Sequence, residues 1–254
     1  MDKGIARLRK PEEEELAAKQ AELSQLEDEL AERELHLASI RAELAAFEHR
    51  YLRTVGVLYA ELDEINARIA ERTAEKSGTE EASRAAKQSR QRAQESRAAV
   101  DAQPAAATEF TPSPELKSLY REVAKRVHPD LASDAADRKR RERLMAEANE
   151  AYEQGDAERL KKILAEYEAS PESVQGVGVA ADLVRVIRKI AQVQRRLAEI
   201  ERELREVLNS DRAKLKTKAD EYRKLGRDLL AEMAENVREQ IATARRRLEE
   251  MPPG

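Results

Sequence analysis

Residues 183–207 read LVRVIRKIAQVQRRLAEIERELREV, and this stretch decides the fold class. One row of its large apolar residues runs Leu183, Val186, Ile190, Val193, Leu197, Ile200, Leu204 and Val207, in steps of three and four without a break. A helix with about 3.6 residues per turn places all of them on one stripe. Such a stripe stays in water unless a partner helix covers it. Asn209, Ser210 and Asp211 interrupt the row, as a turn or as a polar layer. Beyond them the pattern resumes less regularly at Leu215, Ala219 and Tyr222, then at Leu230, Met233, Val237, Ile241, Ala244 and Leu248.

A second long stripe lies near the N-terminus. Pro11 followed by Glu12 to Glu15 suits the first turn of a helix, where proline is tolerated and carboxylates meet the positive end of the dipole. Leu16, Leu23, Leu30, Leu37 and Leu44 recur every seven residues, and Tyr51 continues the row. A weaker row, Leu26, Ile40 and Phe47, is interrupted by Lys19 and Arg33. After Tyr51 the row shifts to Val55, Leu58, Leu62, Ile65 and Ile69. The steps 44–47–51–55–58 contain two consecutive fours, a stutter that locally unwinds a supercoil. The partner helix comes either from a second chain, as in a coiled coil, or from this chain. Gly78 and Thr79 form a stop and a restart. The next helix has a seam of small residues (Ala82, Ala86, Ser89, Ala93, Ser96, Val100) and is either a folded-back hairpin arm or a helical linker. Three prolines between Asp101 and Pro114 break the pattern.

Composition agrees with an all-α chain built on long helices. Charged residues make up 39%, aromatics 3%, and 43 alanines inflate the hydrophobic share of 41%. Without the alanines about a quarter of the chain buries well, against about half in an ordinary globular domain, so one large core is not expected. The absence of cysteine excludes disulfides, thiol nucleophiles and thiolate metal sites. His36, His49 and His128 have no metal-ligand spacing, and no metal or cofactor is expected; His36 and His49 are expected on solvated helix flanks. No secretory leader and no membrane span is apparent, so the chain is expected to be soluble and cytoplasmic. A net charge of −4 argues against a global nucleic-acid-binding field. The charge is nonetheless polarised: residues 12–34 carry ten acids and two bases, 185–205 seven bases and three acids, and 212–227 seven bases and two acids. Opposite fields favour pairing of these segments within one chain or between two.

Between the stripes lies SPELKSLYREVAKRVHPDLASDAADRKRRERLMAEANEAYEQGDAERLKKILAEYE, residues 113–168. Ser113 and Pro114 start a helix whose apolar face is Leu116, Leu119, Tyr120, Val123 and Val127. Lys117, Arg121 and Lys125, with Arg126 beside them, form a basic face. The helix ends at His128, because the residue before Pro129 is pushed out of the α region. A second helix is expected from about Ala136, burying Leu144, Met145, Ala148, Ala151 and Tyr152. Gly155 ends it, and Asp156 caps a third helix carrying Leu160, Ile163, Leu164 and Tyr167.

A basic helix, a His-Pro-Asp turn and an antiparallel helix containing Asn149-Glu150-Ala151-Tyr152 together resemble the J-domain of DnaJ-type co-chaperones. The resemblance covers residues 113–168 only and departs from the family pattern at both ends. The usual Tyr-rich first helix is missing, with Phe110 the one large apolar residue in its place, and an extra helix follows Gly155. The resemblance implies a DnaK-type ATPase as partner. It implies contact through His128, Pro129 and Asp130, and docking of the Lys117, Arg121, Lys125 and Arg126 face on an acidic surface.

The expected organisation is an N-terminal coiled coil over 1–78, an Ala-rich helix and linker over 79–110, and a J-like unit over 111–169. A linker over 170–181, containing Gly176 and Gly178, leads to a C-terminal coiled coil over 182–250. The expected function is a non-enzymatic co-chaperone whose coils self-associate or hold a client. One alternative is a structural coiled-coil scaffold with a degenerate J-like unit. Another is a nucleic-acid-associated protein using the run Arg138-Lys139-Arg140-Arg141-Glu142-Arg143, although flanking acids favour a solvated helix face with exposed arginines. Acid–base catalysis by His128 and Asp130 is set aside, since no pocket-forming core is expected around them.

Overall fold

The computed structural model describes residues 11–102, 110–132, 134–168 and 179–252. The expected linker glycines Gly176 and Gly178 lie outside them. Among the described residues all regular structure is helical. The order is α1 (Pro11–Tyr51), a π-helical segment (Leu52–Gly56), α2 (Val57–Ser77), α3 (Glu80–Asp101), α4 (Pro114–Val127), a 3₁₀ turn (Pro129–Leu131), α5 (Ala135–Gln154), α6 (Ala157–Glu168), α7 (Val179–Asn209), α8 (Asp211–Lys224) and α9 (Leu229–Glu249). None of these helices is long and apolar enough to cross a membrane. The chain divides into two compact units, residues 1–42 with 110–208, and 43–109 with 209–254.

In the first unit, α1 carries two buried faces. Leu23, Leu30 and Leu37 pack with Val186, Ile190, Val193, Ile200 and Leu204 of α7. Glu34 pairs with Arg196 and Arg41 with Glu203, both 162 residues apart, the constant offset of two helices running the same way. The stripe that decides the fold class is therefore covered from within the same chain. The other face of α1, Ala31 and Leu35 with Ala38 beside them, joins the core of α4, α5 and α6. Tyr120, Val123 and Val127 of α4 and Ala148, Ala151 and Tyr152 of α5 are fully enclosed there. So are Leu160 and Ile163 of α6. Phe110 packs edge-on to Tyr152, with ring centroids 5.4 Å apart.

Local signals set these boundaries. Ser113 accepts the Leu116 N–H, and Asp134 accepts the N–H groups of Ala136 and Asp137. Asp156 accepts the Arg159 N–H, and Gly155 ends α5 at φ +73°, a left-handed conformation glycine adopts without cost.

In the second unit, the stutter at Tyr51 becomes the π-helical segment, which absorbs the phase change with one wider turn. The small-residue helix α3 folds back on α2 as a hairpin arm. Ala86 and Ala93 are buried there, Ser96 donates to Asp63, and Arg90 bridges Glu64 and Glu71. Phe47, Val55, Leu62, Ile65 and Ile69 form a core with Leu229, Leu230, Val237 and Ile241 of α9. His49 is 4% exposed, so the expectation of a solvated flank fails for it, while His36 is exposed as expected. Asn209–Asp211 is a turn, with Ser210 capping α8 through the Ala213 N–H. A further break at Leu225–Asp228, invisible in the apolar pattern, is made by Gly226 at φ +72° and by Asp228 capping α9.

Leu160 of α6 is fully buried, so Leu160→Ala should destabilise the core of α4–α6 by about 2–5 kcal/mol, the range for deleting such a leucine. Urea unfolding of the full chain measures this; a loss confined to a few tenths would make α6 an ornament on a self-sufficient pair.

Candidate partner-docking site at the His-Pro-Asp turn

The turn is built by its own backbone first. With Pro129 at its first position, the 3₁₀ turn closes through Leu131 N–H to the His128 carbonyl at 3.1 Å. The Asp130 N–H donates to His128 Nδ1 at 3.1 Å, so that nitrogen is the acceptor. The ring hydrogen therefore sits on Nε2, which donates to Glu34 Oε1 at 3.0 Å. Leu131 inserts into the seam between α1 and α7.

Glu34 is only 6% exposed, and a buried carboxylate is costly unless hydrogen-bond donors and an opposite charge meet it. Arg196 supplies the second one, with Nε at 2.8 Å from the same Oε1. Arg196 continues to Glu203 at 2.6 Å, and Glu203 to Arg41 at 2.7 Å. Burial pushes the Glu34 carboxyl up, but the His128 hydrogen bond and the Arg196 charge outweigh it and hold the group below the usual carboxylate range.

The basic face of α4 is not free. Arg121 reaches Glu32 at 2.7 Å and Lys125 reaches Asp28 at 2.5 Å, both on α1. Arg126 is exposed and pairs along its own helix with Glu122 at 2.8 Å. Lys117 is half-buried at the start of the same face. Asp130 is not the freely solvated side chain of an open loop: it is 17% exposed, with Arg138 Nη2 at 3.5 Å. The structure thus gathers His128, Arg121 and Lys125 along one short stretch of α1, residues 28–34.

The arginine run divides. Arg138 is exposed and also pairs with Glu142, and Arg143 pairs with Glu147. Arg140 is half-buried, with its guanidinium 5.8 Å from the Tyr167 ring centre. Arg141 contradicts the solvated-face expectation: its side chain is 11% exposed and pairs with the buried Asp137 at 2.9 Å. It also donates to the carbonyls of Arg126 and His128 and to the Tyr167 hydroxyl. It therefore ties the end of α4 and the turn to α5 and α6.

A cavity of about 290 Å³ opens beside the turn, lined among others by Glu34, Arg41, His128, Asp130, Arg138 and Arg196, so the expectation that no pocket forms here is corrected. Both ring nitrogens of His128 hold protein partners, the Asp130 N–H and the Glu34 carboxylate.

The residues that sequence reasoning missed are Glu34, Arg196 and Arg141. A signal for Glu34 existed: Ala31, Leu35 and Ala38 form a second apolar stripe on α1, and Glu34 lies between the two stripes, where a helix covered on both sides buries it. Comparison with known protein families, curated proteins and solved structures finds no match for this chain.

Two outcomes are expected. Because the folded Glu34 carboxyl is held below its ordinary value, its stabilising share is complete above the ordinary carboxylate range. That share is lost as pH falls from that range through the lowered value. Glu34→Gln should flatten this acid limb in pH-dependent melting; an unchanged limb would show the group contributes nothing. Arg141→Gln should cost about 1–3 kcal/mol through the groups it leaves unpaired, while Arg138→Gln stays within about 0.5 kcal/mol; equal costs would remove the anchoring role of Arg141.

Proposed function

We propose that α4, α5 and α6 form a J-like co-chaperone module that recruits a DnaK-type ATPase and stimulates its ATP hydrolysis, while the flanking helices hold the module to a client or partner. The observation that carries this reading is the turn itself. A short rigid His128-Pro129-Asp130 segment stands at the end of a cationic helix, braced on α5 by Arg141. Cations of α4 suit an acidic partner surface, which steers encounter and sets register. His128, Pro129 and Asp130 are the contact residues, with Lys117, Arg121, Lys125 and Arg126 as the docking face.

A specific observation favours a second reading. His128 is 2% exposed, and Arg121 and Lys125 already have partners, as in a scaffold whose J-like unit only packs. The nucleic-acid reading is weakened, since Arg138, Arg141 and Arg143 of the basic run each pair with an acid.

Asp130→Asn separates the first two readings. The Asp130 carboxylate has only long side-chain contacts, to Arg138 at 3.5 Å and to His128 Nδ1 at 3.9 Å, so the change should shift stability by no more than about 0.5 kcal/mol. It should abolish stimulation of a DnaK-type ATPase from the same cell. Unfolding of the variant would make Asp130 a structural residue, and failure of the native chain to stimulate would leave the scaffold reading.

A further inference from the structure

Three acids of α1 meet three groups of the docking face. Asp28 and Glu32 stand four residues apart, one helical turn, and so do Lys125 and Arg121 on α4. Glu34 completes the set by taking the His128 imidazole. A partner that recognises the cationic helix and the turn through its own carboxylates needs the same atoms, and the two bindings exclude each other. We propose that residues 28–34 of α1 are a built-in cover that occupies the docking face as an acidic partner surface would, so that a chaperone gains it only when this stretch of α1 lifts. The inference rests on the co-chaperone reading of that face.

The cover is graded. Its outer pairs are weak: the side chains of Arg121 and Lys125 are 41% and 43% exposed, those of Glu32 and Asp28 59% and 62%. Pairs this open contribute little and are screened by salt. Its inner contacts are firmer. Leu35 and Ala31 lie in the core with α4–α6, Ser39 shares a 2.9 Å hydrogen bond with Tyr152, and Glu34 is buried. Lifting starts at the rim, and the rim can be reversed in charge without touching any contact residue of the docking face.

The test uses the full chain with Asp28→Lys and Glu32→Lys together. His128 is buried and His36 is exposed on the same helix as its cover, so diethyl pyrocarbonate labelling read by mass spectrometry carries an internal control. In the native chain His36 should label and His128 should be protected; in the double variant His128 should label faster. Affinity for a purified DnaK-type chaperone should rise about fivefold in low salt, as two rim pairs turn into repulsions and the open fraction grows. Asp28→Asn with Glu32→Gln, which creates no repulsion, should move both readouts the same way by less and serves if the reversed chain fails to fold. Native His128 labelling as fast as His36 would overturn the cover. Equal chaperone affinity in native and opened chains would also overturn it and leave the co-chaperone reading standing. No chaperone binding by either chain, with His128 labelled in the variant, would sink the co-chaperone reading and the regulation with it.

Discussion

The carboxylate of Glu34 sits between the imidazole of His128 and the guanidinium of Arg196, and the rest of the first unit is arranged so that it can. A negative charge out of water is costly, and one cation alone seldom repays it. Here one oxygen takes both a guanidinium and an imidazole N–H, and the guanidinium reaches on to Glu203. The interaction joins three parts of the chain far apart in sequence: α1, the turn after α4, and α7. It demands the register that puts Leu30 and Leu37 on one side of Glu34 and Leu35 on the other.

That register makes α1 a helix with two obligations. Its leucine row is covered by α7, and its alanine-rich row by α4–α6. Small residues on the second row let α4–α6 approach closely enough for ion pairs at the edge. Apolar burial supplies most of the attachment, since buried area is worth more than exposed charge pairs. The ions set position.

The turn owes its rigidity to Arg141 as much as to Pro129. Where α4 ends, the carbonyl of Arg126 has left the helical ladder and that of His128 holds the 3₁₀ bond from Leu131, and a guanidinium paired with buried Asp137 reaches both. A basic run on an amphipathic helix reads as solvated because sequence shows spacing and charge but not which neighbouring carbonyls are unsatisfied. Arg138 and Arg141 look alike in sequence and differ fivefold in exposure, at 56% and 11%.

Much of the fold was legible in the chain. Apolar period, caps at Ser113, Thr79 and Asp156, and glycine stops at Gly78 and Gly155 are local properties, so helix type and most helix ends follow from a few adjacent residues. The stutter at Tyr51, legible as a local unwinding, coincides with the start of the π-helical segment. What lay beyond reach was every choice of partner. The row of leucines in α1 fits a second copy as well as it fits α7, because an apolar stripe carries no address. Charge opposition pointed to pairing of acidic and basic stretches, yet α1 divides its acids among α4, α7 and α8. The break at Gly226 hid inside a continuing apolar row. His49 and Glu34 were hidden likewise, since a polar residue is buried only when a second element closes over it. Spacing along the chain dictates which residues share a helix face; which face meets which is decided by the joint packing of all the helices, where one buried carboxylate must find its guanidinium and its imidazole N–H.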